Sequence, residues 1–375
     1  MSAFARTDTS ILSHWWWTVD RWMLLCLTML IGFGLLLTIG ASVSVAERLG
    51  LSSFHFAERQ VFFLAATIAV MFGISLCSPI TVRRIAAVAL PITLALVVVA
   101  AFVGPEVKGA RRWLPIGSFT LQPSEFLKPF FIVTCAWMFA EQMRDPKFPG
   151  RRIAVMLFVM AAGSLVIQPD IGQTFLVALT WGAQFFLAGL PLIWVGVLGA
   201  AGVSAICVAY LLLPHVASRI DRFLNPATGD TYQIDTALNA FRTGGLFGRG
   251  PGEGLVKRVL PDAHTDFIFA VAGEEFGVLA CMGLLLIFGV IVIRGLVNLL
   301  KENDPFTYLA TAGLLIQFGV QAYINMGVNL ALLPSKGMTL PFVSYGGSSM
   351  LALGVTMGMI LALTRRRATL RSAQP

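Results

Sequence analysis

Apolar runs of bilayer-spanning length recur along this chain, and hydrocarbon leaves such a backbone two solutions, helices or a closed barrel. Ten runs lie near Trp22–Ile39, Val61–Cys77, Ile85–Val103, Phe126–Met143, Ile153–Ile167, Ile171–Leu187, Leu192–Leu213, Phe267–Ile293, Phe306–Leu330 and Pro341–Leu363. Most approach the roughly 20 residues that a helix needs to cross. The weak alternating segments of a membrane barrel are absent from the sequence. Only 12% of the 375 residues are charged, against about 25% in a soluble domain. The expected fold is therefore an all-α polytopic membrane protein of ten transmembrane helices, forming one domain over residues 1–375.

An even number of spans puts both termini on one side. The head (1–21) carries Trp15-Trp16-Trp17, an interfacial anchor, and the first run reads as an uncleaved span rather than a signal peptide. The Arg83-Arg84 and Arg151-Arg152 pairs share a side with the basic tail (364–375). Because orientation follows the short loops, both termini are expected in the cytoplasm. The five cysteines fall inside spans without a CxxC pair, which predicts neither disulfides nor a zinc site.

The outward positives concentrate in residues 108–128 and in one long loop, 214–265, between the seventh and eighth spans. A loop of that length is usually functional or disordered. Here aromatic and apolar residues interleave with the run GGLFGRGPGEG, which argues against disorder. Ile234–Phe241 can form a short amphipathic helix. The glycine density suits a backbone that turns tightly or approaches something closely. Arginine forks match phosphate geometry and lysine adds a point charge, so these loops also suit an anionic ligand at the membrane–water boundary. In the segment LLPSKGMTLPFVSYGGSSM, prolines and glycines break the helix before the tenth span. Ser344, Tyr345, Ser348 and Ser349 can satisfy the freed backbone groups.

The stretch LPDAHTDFIFAVAGEEFG, residues 260–277, places Asp266 at the outer end of the eighth span and Glu274 and Glu275 inside it. Ionisable residues at such depth normally face the bundle interior and pair. On the residues alone, Asp266 is equally a helix cap and a reactive carboxylate. The macrodipole favours its charged form and partial burial opposes it.

Four stretches, GARRWLPIG with LQPSE, QPDIGQT, LPDAHTDFIFAVAGEE and LPFVSYGGSS, resemble in order the SEDS family of polytopic cell-wall glycosyltransferases. The likeness extends from about Trp22 to Arg367. Ala263-His264 before Thr265-Asp266, and Ser335-Lys336-Gly337 before Met338-Thr339-Leu340, are similar to the division branch. Thr120 departs from members with a basic residue before the QPSE element, which puts a phosphate contact there in doubt. The resemblance implies a ten-helix fold in the bacterial inner membrane at the division septum, and lipid II as substrate. It also implies a class B penicillin-binding protein (an FtsI-type transpeptidase) and other division proteins as partners. No nucleic-acid partner is expected.

It further implies an inverting displacement that joins lipid II units, with Asp266 as general base and undecaprenyl diphosphate as leaving group. Arg112, Lys128 and Lys336, then Arg111, Arg219 and Arg222, are the expected diphosphate-side cations. Glu125, Gln233, His264, Glu274 and Ser344 complete the expected substrate contacts, while Glu275 and Asp170 read as structural. No organic cofactor is expected, whereas a divalent cation (Mg or Mn) on Asp266 or Glu125 is compatible with the chemistry. A flippase for lipid II or another polyprenyl-linked sugar is the alternative. It fits intramembrane acids and broken helices, but internal repeats and a midplane site are not visible.

Overall fold

A computed structural model describes residues 10–48, 50, 52, 54–107, 109–117, 119–212, 217, 221, 232–334 and 337–365. A short helix, α1 (Ile11–Thr18), precedes α2 (Arg21–Arg48), α3 (His55–Ser75) and α4 (Pro79–Val103). A two-stranded antiparallel ribbon follows, β1 (Leu114–Ile116) and β2 (Phe119–Leu121), with Leu114 opposite Leu121. It is a small exception to the all-helical expectation. Next come α5 (Pro123–Arg144), α6 (Gly150–Ile167), α7 (Ile171–Leu187) and α8 (Leu192–Leu212). The chain is described again at α9 (Tyr232–Gly244), then α10 (Ile268–Leu299), α11 (Pro305–Asn329) and α12 (Gly347–Thr364).

The helix starts follow local chemistry. Ser78 and Asp304 accept hydrogen bonds from Thr81 N (3.1 Å) and Thr307 N (3.1 Å), and a proline follows each at the first helical position. Proline suits that position because its missing N–H has no intrahelical partner there anyway. The last helix begins at Gly347, later than the apolar run beginning at Pro341, because residues 341–344 form a turn.

Among the described residues, six helices are long and apolar enough to cross a membrane: Arg21–Val43 within α2, and α3, α4, α6, α10 and α12. In α12, 83% of the apolar window is buried, against 22–39% in the other five. The α12 helix therefore lies inside the bundle, together with α5 and α11, whose residues are mostly buried. Outer helices turn Leu, Val, Ile and Phe side chains outward. That is the arrangement expected where lipid, not water, is the neighbour.

One end of the bundle is tied by partly exposed polar contacts. Arg294 Nε pairs with Asp20 Oδ2 (2.9 Å), and Arg144 Nη2 with Asp304 Oδ1 (2.5 Å). Arg365 Nη1 donates to the Ser75 carbonyl at the end of α3 (3.2 Å). The starts of α3, α5, α10 and α12 meet at the opposite end.

The α10 helix is interrupted at Gly277 (φ 78°, ψ 178°). The glycine-rich segment after α9 packs into the break. Arg249 N and Gly250 N donate to the Glu274 and Glu275 carbonyls (3.0 and 2.9 Å), while Val278 N donates to the Gly245 carbonyl (3.0 Å). The close approach anticipated from glycine density is thus an approach to this chain's own backbone. At Gly244 a Cβ would stand 2.0 Å from the Gly273 carbonyl oxygen. Gly244→Ala is therefore expected to destabilise by about 1–3 kcal/mol, the usual range for overpacking, and to lower the thermal unfolding midpoint in detergent. Gly283→Ala, where no heavy atom lies within 4 Å of the added carbon, should leave that midpoint unchanged.

Candidate active site

Asp266 lies in the turn before α10 and is half-buried. Phe267, not Asp266, occupies the N-cap position of that helix. Three consecutive carbonyls at this point are held by other elements. Tyr345 N donates to His264 O (2.9 Å), and Ser344 Oγ donates to Thr265 O (2.6 Å). Asn325 Nδ2 and Asn329 Nδ2 both donate to Asp266 O (2.9 Å each). Asp266 Oδ2 would stand 3.3 Å from a Cβ on Gly337, so the carboxylate lies beside the segment leading to α12. The His264 ring packs between Phe56 and Tyr345, with centroids 4.9 and 5.4 Å away. Arg59 lies beside the Tyr345 side chain.

Ser344 and Ser348 do the backbone work anticipated for the serines here, whereas Ser349 bonds a side chain. Ser344 Oγ also accepts from Leu340 N (2.8 Å). Ser348 Oγ donates to Thr120 O (3.0 Å) and accepts from Gln122 N (3.1 Å), joining α12 to β2. Ser349 Oγ bonds Thr339 Oγ1 (2.6 Å). Ser344 is therefore a scaffold residue here rather than a group held out to substrate.

Several expected ligand groups are committed inside the protein. Lys128 is 1% exposed, and its ammonium donates to Glu125 Oε2 (2.9 Å) and Gln321 Oε1 (3.1 Å). Glu125 accepts in turn from Gln173 Nε2 (2.5 Å). The pairing follows from position, since residues three apart share a helix face and neither charge is stable alone in an apolar interior. Arg112 Nη2 donates to Pro169 O (3.0 Å), and its Nε stands 3.6 Å from Asp170 Oδ2. Asp170 also caps α7 through Gln173 N (3.4 Å).

Glu274 is wholly buried and accepts three backbone N–H groups, those of Leu255 and Val256 (2.7 Å each) and Lys257 (2.9 Å). It is the anchor of the 256–258 turn, not a substrate contact. Glu275 forms a buried ion pair with Lys257, whose ammonium also donates to the Gly40 and Gly252 carbonyls (3.0 and 3.1 Å). This pair joins α2, the glycine segment and α10.

Arg111 is exposed, with Glu106 3.9 Å away, and Gln233 is half-buried in the first turn of α9. Lys336, Arg219 and Arg222 lie outside the described residues. Among the described residues, no group of three or more His, Cys, Asp or Glu is placed to hold a metal ion. Of the two expected oxygen ligands, Glu125 is taken up by Lys128 and Gln173. Sequence reasoning missed Asn325, Asn329, Arg59 and the pairing of Lys257. The asparagines did leave a signal, two amides four residues apart in an otherwise apolar run, INMGVN.

The helices and the buried polar end define an integral membrane protein with a carboxylate fixed at one end of its bundle. The family model for cell cycle proteins (FtsW, RodA and SpoVE) matches residues 20–369. A relative from Caulobacter vibrioides, named probable peptidoglycan glycosyltransferase FtsW, is 48% identical over 97% of this chain and 94% of its own. A protein of the same name from Pseudoalteromonas translucida is 35% identical over 90% of this chain and 87% of its own. Two solved structures share the fold. One, from work on a peptidoglycan synthase complex that coordinates polymerization and crosslinking, has a TM-score of 0.75 at 24% identity, covering 92% of this chain and 97% of that one. The other, the Thermus thermophilus rod shape determining protein RodA, has a TM-score of 0.68 at 24% identity, covering 93% and 97%. The chain belongs to the FtsW/RodA/SpoVE family.

Breaking a buried ion pair from one side costs about 3–5 kcal/mol, whereas replacing both partners by apolar residues is often neutral. Lys257→Met is therefore expected to lower the unfolding midpoint strongly. Adding Glu275→Leu should recover much of the loss in a double-mutant cycle.

Proposed function

We propose that this chain is a peptidoglycan glycosyltransferase that polymerises lipid II into glycan strands for the septal wall. The observation that carries the reading is Asp266, whose main chain is fixed by two asparagines and whose carboxylate borders Gly337. It lies where α10, α11 and the segment before α12 converge, at the end of the bundle that holds all the charged side chains buried among the described residues. The relatives' names supply the reaction class.

In this reading the acceptor sugar's 4-hydroxyl gives its proton to Asp266 as its oxygen attacks the anomeric carbon of the donor. The bond from that carbon to the diphosphate oxygen breaks, and undecaprenyl diphosphate leaves with the electron pair. Configuration inverts in one step. The leaving group is already an anion of low basicity, so no acid need protonate it. Charge stabilisation falls to Lys336, Arg219, Arg222 and Arg111, with Arg59 added by its place beside Tyr345. Were a divalent cation bound, Asp266 is the carboxylate that would hold it, and the ion would supply charge stabilisation to the leaving group. We place the ten helices from α2 to α8 and α10 to α12 across the inner membrane, with both termini in the cytoplasm and Asp266 at the outer face. A class B penicillin-binding protein and other division proteins are the proposed partners.

The test is reconstitution of the purified chain with its transpeptidase partner on labelled lipid II. Asp266→Asn is expected to reduce strand synthesis by about 10²–10⁴-fold, the usual cost of losing a general base. Normal synthesis by that variant would sink the assignment. Movement of lipid II across vesicles without strand formation would favour a flippase instead.

A further inference from the structure

Asn325 and Asn329 sit one turn apart on α11, on one helix face, and are 2% and 0% exposed. Burying two primary amides is costly unless each is hydrogen-bonded, so their bonds show what they are for. Both Nδ2 groups converge on a single acceptor, the Asp266 carbonyl, at 2.9 Å each. A carbonyl has two lone pairs, and these two donors match that capacity. Asn325 Nδ2 is also 2.6 Å from Met338 O, which ties the same point to the segment flanking the Asp266 carboxylate. Asn329 Oδ1 accepts from Ala270 N at 3.1 Å. Ala270 lies in the first turn of α10, where N–H groups lack i−4 partners. Its N–H is shared between Asn329 Oδ1 and the Phe267 carbonyl (3.1 Å), and Phe267 at the N-cap has no side-chain acceptor to offer. Asn329 thus caps α10 from another helix while holding the residue just ahead of it.

We propose that Asn325 and Asn329 are positioning residues for the transfer reaction. They act through Asp266, fixing its main chain so that the carboxylate meets the acceptor hydroxyl. The proposal rests on the reading of Asp266 as general base. Its alternative is that the amides merely hold α10 to α11, as polar residues between packed helices commonly do. The two differ in consequence. Loss of helix packing removes folded protein without altering the folded fraction's kinetics. Loss of alignment slows the chemical step, and a shift of about 1 Å in a catalytic group costs on the order of 10²-fold.

The experiment measures kcat and KM for lipid II with the full-length chain reconstituted with its transpeptidase partner, normalised to folded protein. The variants are Asn325→Ala, Asn329→Ala and the isosteric Asn329→Asp, which keeps the volume and the acceptor toward Ala270 but loses both donors. Each is expected to lower kcat about 10–100-fold, with KM within about threefold of wild type. In an Asp266→Asn background the same changes should have little further effect, because groups acting through one residue are not additive. Should the alanine variants fail to fold, Asn329→Asp carries the test alone. Unchanged kcat in folded Asn329→Asp, or equal losses with Asp266 present or replaced, overturns the proposal. Asp266→Asn at wild-type rate overturns the general-base reading instead, and the positioning role with it. An inactive Asp266→Asn beside a fully active Asn329→Asp overturns only the positioning role.

Discussion

A helix broken inside an apolar bundle exposes backbone donors and acceptors to surroundings without water, and each must find a partner within the protein. The break in α10 at Gly277 imposes that demand on this molecule. The glycine segment after α9 answers it by laying its own N–H and C=O groups against residues 274–279. Side chains there would keep the two backbones apart. Glu274 then folds the rest of the segment into place by accepting three of its N–H groups, and Lys257 closes the arrangement on Glu275 and α2. The described glycine segment is thereby built into the bundle as part of its wall. Its contacts also fix the first turns of α10, which follow directly on Asp266.

The two ends of the bundle use polar residues differently. At the end carrying Asp20, Arg144, Arg294 and Arg365, the pairs are partly exposed, and such pairs contribute little to stability. At the other end, Glu125, Lys128, Asp170, Lys257, Glu274 and Glu275 are all buried. Buried charges carry a desolvation cost that packing alone would avoid. Keeping several of them at the same end as one partly exposed carboxylate is a pattern of a functional site, and under the proposed function this polar wall would receive a charged headgroup.

Much of this was legible in the sequence, for identifiable reasons. The apolar runs map onto helices because hydrocarbon burial and backbone satisfaction leave so few alternatives. The serines before α12 were readable as backbone partners because prolines and glycines had already announced a break. Partner choice was less legible. Lys128 sits three residues from Glu125, a spacing that favours pairing, yet its charge beside a basic loop also suited a phosphate. Arg112 was ambiguous in the same way, since Asp170 lies far away in sequence. Asn325 and Asn329 escaped notice because amides carry no charge, and their common target, a main-chain carbonyl, leaves no trace in residue types.

The distribution of paired charges constrains where a leaving diphosphate can be met. A cation already buried against a carboxylate stabilises a second anion only by sharing or abandoning the first, and an abandoned buried carboxylate is strongly unfavourable. Lys128 and Lys257 are held in this way, and Arg112 is engaged with Asp170 and the Pro169 carbonyl. They shape the wall and set its potential; among the described residues Lys257 has an acceptor for each of its three N–H donors, Lys128 has two, and Arg112 Nε has none. In the proposed reaction, the cations that keep more exposed surface are the ones assigned to direct contact with the departing phosphates. Arg111 and Arg59 are at least partly exposed, and Gly337 borders the Asp266 carboxylate. Under the proposed function, a base held by its backbone with exposed cations near it would suit a substrate whose sugar must be aligned while its lipid-linked diphosphate enters and leaves from the side.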